Sequence, residues 1–433
     1  MRRISHLVPA VLYRPLLGIV MLLFSASFVS AAEVVVISSS ADFVKKVTRA
    51  NAIYDIQCDV NLNGASVTIP AQSVLRFSNG SISNGRLTGN QTMIENGSNR
   101  VIFNNVQISD AARQFINDFM YVDWFWGKSD ADKTQNAVDF AKKNRNAIRF
   151  LTRVYTFDHT VTIGMSQFHL SGSGAGGEYG ELGPKIVAAA KFTSSLDGAP
   201  LFYVTGELRT AKATLGVASG RVTGLTFSTD RKNDVFQFKM AADPARPMYI
   251  DHCSFFNCKA AVRVLDNGGS TALGFLYVEN CTMTGNMWNI VAHGRHSLMG
   301  LYFCKNVAEQ CEGCINLGYS EKYSAKPYET PAPRQVDYAA SANITICDNL
   351  LEGTVDCIYI NGGKCIVTIE RNYFESSRRQ FIALAFSNPN SIATIQDNYS
   401  AKDDAVDISI KNCRYSCQAV AKGRLHLSNA SAK

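Results

Sequence analysis

The sequence has no long apolar run after its first thirty residues. One short run covers residues 16–29, follows several arginines, and ends at the small residues Ser30 and Ala31. A charged region, a short apolar region and a small-residue cleavage site are typical of a secretory signal peptide. The run is also shorter than the roughly 20 residues that a membrane span requires. We therefore expect residues 1–31 to be a signal peptide, and the remainder to be secreted or periplasmic with no integral membrane span.

The sequence also lacks a strong excess of charge of either sign. Its 43 Lys and Arg residues face 36 Asp and Glu residues, and the net charge of +7 falls to +4 without the three arginines of the signal peptide. No basic run is present, so nucleic acid is not an expected partner. The glycine-rich segment 172–177 lacks the Lys-Ser/Thr ending of a phosphate-binding loop.

The chain does contain an imperfect repeat of about 23 to 28 residues, a period that indicates a solenoid. In each copy an apolar residue is followed three positions later by Asn or Cys. These fourth positions are Cys253, Cys281, Asn306, Asn349, Asn372 and Asn398. A second apolar column follows about nine residues later in each copy, in segments that alternate as strands do. It comprises Val262, Ile290, Ile315, Ile358, Ile382 and Ile408, and a weaker early copy places Val235 in it.

One coil of such a repeat cannot bury its inner face alone, so neighbouring coils stack and share a core. We therefore predict an all-β fold, a right-handed parallel β-helix (a single-stranded solenoid). The Asn column favours an amide ladder at a bend, where Asn tolerates the left-handed conformation. The alternative is chance spacing in a β-sandwich, which two linked columns of six members disfavour.

Three segments depart from the repeat. Residues 32–115 have shorter turns and predict a small N-terminal β domain or cap, leaving 116–433 as the β-helix. Residues 133–144 form the one clear helical pattern. Residues 318–341 form an insertion between coils, rich in Tyr and Pro, and long loops in compact folds are often functional.

The twelve cysteines follow the mature start, but their spacing does not resemble a disulfide framework. Several occupy equivalent points of successive repeats, so we expect small apolar fillers in a stack. The pairs Cys311–Cys314 and Cys413–Cys417 are candidate exceptions, because an oxidising compartment permits disulfides. No second pair has the setting that a four-ligand zinc site requires.

Segments 122–134 (VDWFWGKSDADKT) and 148–155 (IRFLTRVY) resemble the opening motif of the pectate-lyase-like β-helix superfamily. In that superfamily an Asp-Phe-Gly-Ala segment, a Gly-Asp-Gly segment and Asp-Thr precede a helix and a Pro-Gly-Thr-Tyr strand. Several of those glycines and prolines are replaced here. With the coils, the resemblance covers about residues 120–425, and it implies the fold more than an activity.

Two catalytic patterns of the superfamily are incomplete in this chain. Met248 to Cys253 resembles the Trp-Ile-Asp-His segment of pectate lyases, near which acids hold Ca²⁺, but the strand at 260–264 has no Asp or Glu and the arginine-proline motif is missing. We expect no cofactor, with Ca²⁺ as the alternative although its family site is not intact, and a structural role for Asp251 and His252. Segments 355–360 and 403–408 resemble the acidic segments of polygalacturonases, but they are two coils apart and no Gly-His-Gly follows.

In this superfamily the cleft usually follows the strand that carries the second column, so alternation identifies the outward side chains. Glu312 and Asp356 would be one coil apart, and Asp356 and Asp404 two coils apart, roughly 10 Å. Either carboxyl pair could serve a glycosidase. For elimination, His293 or Lys411 could be the base, and Arg295 or Arg379 the cation that neutralises a uronate. The remaining predicted substrate contacts are Arg263, Asn316, Tyr319, Tyr323, Tyr359 and Asn361.

These observations lead to a secreted carbohydrate-active enzyme as the first hypothesis, either a glycoside hydrolase or a polysaccharide lyase acting on an extracellular glycan. The alternative is a non-catalytic glycan-binding or surface protein with the same fold, since acids and arginines at solenoid turns are usually just solvated. A phage-tailspike-like adhesin or depolymerase is a third hypothesis, disfavoured by the signal peptide. In each case the expected partner is a polysaccharide or oligosaccharide.

Overall fold

The computed structural model describes most of the chain after the predicted signal peptide. The described residues are 32–97, 99–108, 114–144, 146–164, 168–173, 183–205, 220–239, 247–265, 273–292, 298–318, 342–354, 356–375, 380–401, 406–417, 424–428 and 430–432. The signal-peptide prediction and the insertion, apart from Gly318, lie outside them.

Three long parallel sheets form the main body of the described chain, and each strand pairs with its counterpart one coil away. Sheet 1 consists of Phe119–Tyr121, Ala147–Arg149, Phe168–Ser171, Gly220–Thr223, Met248–Asp251, Leu273–Glu279, Leu298–Cys304, Ala342–Cys347, Cys365–Glu370, Ile392–Gln396, Arg414–Cys417 and Ser431–Ala432. Sheet 2 consists of Val154–His159, Lys185–Thr193, Thr226–Ser228, Ser254–Phe256, Thr282–Thr284, Val307–Glu309, Leu350–Glu352, Tyr373–Glu375 and Tyr399–Ser400. Sheet 3 consists of Val161–Ile163, Phe202–Val204, Asp234–Phe238, Ala260–Val264, Trp288–Ala292, Gly313–Leu317, Asp356–Gly362, Gln380–Phe386, Val406–Lys411 and Leu425–Ser428.

The strand register confirms the predicted parallel β-helix. In sheet 1, Ile250 pairs with Val278, and the pairing continues through the first column as expected. In sheet 3, Val262 pairs with Ile290 and the second column also continues as predicted. The placement of Val235 in the second column was wrong, because Phe236 rather than Val235 pairs with Val262. The strand at 234–238 is buried on both faces, so its sequence does not alternate in polarity.

The N-terminal segment consists of shorter coils with two small parallel sheets. One contains Val34–Ile37, Ile53–Ile56, Val74–Phe77 and Met93–Asn96, and the other contains Asp59–Asn61, Ser66–Thr68, Ser81–Thr88 and Phe103–Ile108. The backbone of Ile102 donates to Trp124 O at 2.8 Å, and that of Trp126 donates to Phe103 O at 2.9 Å. The segment therefore joins the β-helix through backbone hydrogen bonds. A domain boundary at residue 115 stays a prediction.

Two α-helices lie within the described residues: α1, Ser40–Lys46, and α2, Asp130–Asn144. Helix α2 begins three residues before the predicted start because Ser129 and Asp132 cap it reciprocally. The Ser129 hydroxyl accepts from Asp132 N, and the Asp132 carboxylate accepts from Ser129 N, both at 3.2 Å. This is a capping box with Asp in place of the usual Glu or Gln. In the described part of the chain, no helix is both long and apolar enough to cross a membrane.

The interior of the coils is one continuous apolar core, and most of the cysteines belong to it. Ten of the twelve are buried, Cys58 and Cys417 are partly exposed, and all are free thiols. Burial raises the pKa of Cys311 to about 11. This confirms the prediction of small apolar fillers, and neither Cys311–Cys314 nor Cys413–Cys417 forms a disulfide in the structure.

The Asn column forms the predicted ladder between sheets 1 and 2. The side-chain amide of Asn306 donates to Asn349 Oδ1 at 3.2 Å, that of Asn349 to Asn372 at 2.8 Å, and that of Asn372 to Asn398 at 3.0 Å. The left-handed residue at each bend is not the Asn, however. It is the residue immediately before the column position, namely His252, Asn280, Lys305, Asp348, Arg371 and Asp397. The Asn side chain instead satisfies backbone groups of the neighbouring coils.

Candidate active site on the outer face of sheet 3

The outer face of sheet 3 carries one row of side chains that crosses successive coils. Arg263 pairs in register with Val291, Val291 with Asn316, Asn316 with Tyr359, and Tyr359 with Ala383. Their neighbours along each strand point into the apolar core. The alternation predicted from sequence therefore places these side chains on the side away from the core.

Most side chains of this row are buried, so the row is closed to solvent over much of its length. Each of its five central members is at most 6% exposed. Val291, Tyr359 and Ala383 pack with Ala260 and Trp288 in a second apolar cluster, separate from the interior core, against which Met287 and Phe381 also lie. The outer face of sheet 3 is thus a packed surface, whereas an open groove would leave its side chains solvated.

Trp288 dominates this second cluster and was not identified from the sequence. Its ring centroid lies 6.2 Å from that of Tyr359. A Cβ atom on Gly313, one coil further, would lie 2.1 Å from the Trp288 ring. The indole therefore occupies the space above Gly313. The sequence signal was available, because the largest and the smallest side chains stand in register at these two positions.

Asp356 is a buried carboxyl group at the start of its strand, next to this cluster. The Tyr359 hydroxyl donates to Asp356 Oδ1 at 2.6 Å, and the Asp356 backbone N–H donates to Glu312 O at 3.0 Å. Burial raises the pKa of Asp356 above the usual value, and the negative charge of Glu312 raises it further. The phenol hydrogen bond opposes this rise because it stabilises the charged form. The result is a carboxyl group that keeps its proton to higher pH than a solvated Asp.

Glu312 lies on the adjacent coil, as predicted, since Gly313 pairs with Asp356. Its side chain is 56% exposed, and Arg231 Nη1 binds Glu312 Oε1 at 3.0 Å. Arg231 Nε in turn donates to Gly285 O at 2.7 Å. One buried and one solvated carboxyl group thus lie on neighbouring coils, and an arginine orients the solvated one.

Arg263, predicted to bind substrate, has a protein partner instead. Its Nε and Nη2 atoms bind the two carboxylate oxygens of Asp234 at 2.6 and 3.1 Å, and both side chains are buried. The Gln237 amide donates to the same carboxylate at 2.7 Å. The pair therefore contributes to the packed outer face, and substrate binding by Arg263 stays a prediction.

Other predicted residues separate into three groups. Asn316 is fully buried in the row, whereas Asn361 and Lys411 are partly exposed and share a second row through Ala385. Asp251 is bound by Arg221 at 2.9 Å and by the Thr223 hydroxyl, in keeping with a structural role. The predicted residues outside the described chain are His293, Arg295, Tyr319, Tyr323, Arg379 and Asp404.

Asp407 is a further buried acid on the outer face of sheet 3 that sequence reasoning missed. Its Oδ1 accepts from the Arg424 backbone N–H at 2.9 Å. It stands between two core residues of its strand, so its outward position follows from the alternation. Among the described residues, no three His, Cys, Asp or Glu side chains converge as metal ligands.

Comparison with known proteins identifies only distant structural similarity. No protein-family model and no curated protein matches the sequence. The tailspike protein of Acinetobacter baumannii phage AM24 is 14% identical, with 73% of this chain covering 54% of the tailspike and a TM-score of 0.37. The ORF18 protein of Geobacillus virus E2 is 13% identical, with 73% of this chain covering 60% of that protein and a TM-score of 0.32.

A third similar structure is endopolygalacturonase I from Stereum purpureum, which was solved with two galacturonates. It is 9% identical, with 92% of this chain covering 98% of the enzyme and a TM-score of 0.25. The chain thus spans 54% and 60% of the lengths of the two viral proteins. Because all three TM-scores are below 0.5, the fold and the site rest on the geometry of this chain alone.

Proposed function

We propose that the protein is a secreted glycoside hydrolase. It cleaves a polysaccharide on the outer face of sheet 3, beside Asp356 at the start of its strand. The observation that carries this proposal is the pairing of two unlike carboxyl groups on adjacent coils. Asp356 is buried and has a raised pKa, whereas Glu312 is solvated and held by Arg231. Glycoside hydrolysis needs such a pair, one acid that retains its proton and one ionised carboxylate.

In this proposal Asp356 is the general acid that protonates the departing glycosidic oxygen. Its burial and the nearby Glu312 charge both favour the protonated form at the start of the reaction. Glu312 is the second carboxylate, acting as nucleophile or as the base that activates water according to its separation from Asp356 in the substrate complex. Tyr359 is a positioning residue, because its hydroxyl holds the Asp356 carboxyl group.

Hydrolysis is favoured over elimination by the acids in the described site. Elimination at a uronate needs a base near the sugar C5 proton and a cation on the carboxylate. Of the residues predicted for those roles, Lys411 is described and partly exposed, whereas His293, Arg295 and Arg379 lie outside the described residues. Hydrolysis requires only Asp356, Glu312 and water.

The test is a screen of the mature protein against neutral and acidic polysaccharides, following both new reducing ends and the absorbance of unsaturated uronates. We expect reducing ends without unsaturated product on at least one polysaccharide. Both signals together would show a lyase and overturn the assignment of Asp356 and Glu312. The absence of both signals with every polysaccharide would overturn enzymatic activity.

The closed row on the same face favours a second candidate, a non-catalytic glycan-binding protein. Tyr359, Asn316 and Arg263 are buried, and Arg263 already has a carboxylate partner. Side chains packed in this way make the face rigid, and they contact the protein rather than a reacting substrate. Glycan binding in the same screen without any cleavage product would support this second function.

A further inference from the structure

A groove lies where the N-terminal coils meet helix α2, far from Asp356. It has a volume of about 770 Å³ and is lined by one small N-terminal sheet, by the chain around Trp126 and by α2. We refer to it as the junction groove. In sheet 3, Asp356–Gly362 is the sixth strand after Val161–Ile163. That separation corresponds to roughly 29 Å at about 4.8 Å per strand.

The polar lining of the junction groove is dominated by side-chain amides. Asn84, Asn105 and Gln107 come from two neighbouring strands, and Asn136 comes from α2. All four side chains are exposed. An amide group both donates and accepts hydrogen bonds, which is what a sugar hydroxyl also does. A row of exposed amides therefore matches the alternating donors and acceptors of a carbohydrate.

Two of these amides are already oriented by the protein. The Asn105 Nδ2 donates to Asn84 Oδ1 at 3.1 Å, and the Asn136 Nδ2 donates to Trp126 O at 2.7 Å. Within the described chain, Oδ1 of Asn105 and Oδ1 of Asn136 accept no hydrogen bond from the protein. A fixed amide loses less conformational entropy when it binds a ligand than a free one does. These two oxygens are thus acceptors in place for ligand hydroxyls.

Trp126 provides the apolar part of the junction groove. It is 42% exposed, whereas Trp124 and Trp288 are both buried. Its backbone is fixed by the hydrogen bond to Phe103 O and by the Asn136 amide. An indole combines a wide apolar face with a polar N–H. The apolar face of a pyranose ring packs well against such a surface, and its hydroxyls can reach the surrounding amides.

The charge of the lining selects between ligand classes. Arg86 and Asp139 are the charged residues of the groove, and they balance. An acidic polysaccharide would favour an excess of Arg and Lys, which this groove does not have. We propose that the junction groove is a binding site for a neutral oligosaccharide or polysaccharide, additional to and independent of the site at Asp356.

The test is titration of the full mature protein with neutral hexasaccharides (cellohexaose, mannohexaose and maltohexaose) and with trigalacturonate as an acidic probe. Iodide quenching reports on Trp126, since the other two tryptophans are buried. We expect at least one neutral probe to protect Trp126 from iodide. Calorimetry should show about tenfold weaker binding for Trp126→Ala and about fivefold weaker binding for Asn136→Ala.

Tyr399→Ala is the matched control, because Tyr399 is an exposed aromatic residue on sheet 2, away from the groove. It should bind the neutral probe with unchanged affinity. Asp356→Asn should also bind with unchanged affinity at the groove, so this result is separate from the outcome at the proposed active site. No protection by any neutral probe, equal affinity of Trp126→Ala and wild type, or preference for trigalacturonate would each overturn the proposal.

Discussion

At the scale of single residues, Asp356 determines the chemistry available on sheet 3. The sequence placed this acid at a strand start one coil from Glu312, and the register confirms that placement. It could not show that Asp356 is buried or that Tyr359 donates to it. Tyr359 packs with Trp288 and Ala383, which belong to other coils. The pKa of a carboxyl group is set by such contacts, so sequence alone identifies the candidate but not its state.

The pKa of Asp356 gives a direct prediction. In Glu312→Gln the pKa of Asp356 should fall, because a negative charge is removed, and in Tyr359→Phe it should rise, because a donor to the charged form is lost. Carboxyl carbon chemical shifts of labelled Asp during a pH titration would measure both changes. Glu352→Gln, an exposed glutamate on sheet 2, is the control and should leave this pKa unchanged.

The same titration has a consequence for stability. Because the folded-state pKa of Asp356 is raised above its usual value, protonation favours the folded protein. That contribution is fully present at acid pH and is lost as the pH rises through the folded-state pKa. Asp356→Asn removes the titration, so its stability relative to wild type should increase across that interval. A constant difference would contradict the shift.

At the scale of single elements, the repeat pattern predicted the Asn ladder but not which residue of each bend is left-handed. The column itself was predicted because its members recur at one coil position. The left-handed residue precedes the Asn or Cys of the column, and residues as different as Lys305 and Asp348 occupy that position. The local sequence therefore does not mark the bend. The hydrogen bonds from the neighbouring coil determine it.

Removing one Asn from the middle of the ladder should lower the free energy of unfolding. Asn349 accepts from Asn306 N at 2.9 Å and donates to Phe303 O at 2.9 Å. Asn349→Ala leaves these buried groups without partners, and we expect a loss of about 2 to 4 kcal/mol in the free energy of unfolding. Urea denaturation measures it. Asn398→Ala, at the partly exposed end of the ladder, should cost less because water can replace the amide.

The buried ion pair of Asp234 and Arg263 is a second feature that links neighbouring strands. The two residues are 29 positions apart, on adjacent strands of sheet 3. Asp234→Asn or Arg263→Met alone should destabilise the protein by about 3 to 5 kcal/mol, because each leaves a buried charge unpaired. The double variant should cost clearly less than the sum of the two. Additive losses in denaturant unfolding would show that the two residues do not act as a pair.

At the scale of the whole molecule, the sequence predicted the β-helix well because coil stacking demands matching apolar positions. Two columns were sufficient to give the strand register of six consecutive coils. The packing of the outer face of sheet 3 was not predictable in the same way. It depends on the complementary sizes of Trp288 and Gly313 in different coils and on a salt bridge, and neither produces a periodic pattern.

The closed core also predicts how the thiols behave. Burial raises the pKa of several core cysteines, Cys311 and Cys413 to about 11 among them, so these form few thiolates at pH 8, and reagents cannot reach the buried thiols. In the native protein a thiol reagent should react readily at most with the two partly exposed cysteines, and after denaturation without reductant with all twelve. Fast native labelling of further cysteines would contradict the closed core. A shortfall after denaturation would show disulfides.

The measurement that tests the proposed function most directly is the rate of reducing-end release by Asp356→Asn and Glu312→Gln on the polysaccharide that the wild type cleaves. Both variants keep the size of the side chain, and circular dichroism would verify the fold. We expect each to lose activity by about 10² to 10⁴-fold, the usual contribution of a positioned acid or base, while Glu352→Gln retains the wild-type rate. Wild-type rates in Asp356→Asn or Glu312→Gln would contradict the assignment of the active site to this face of sheet 3.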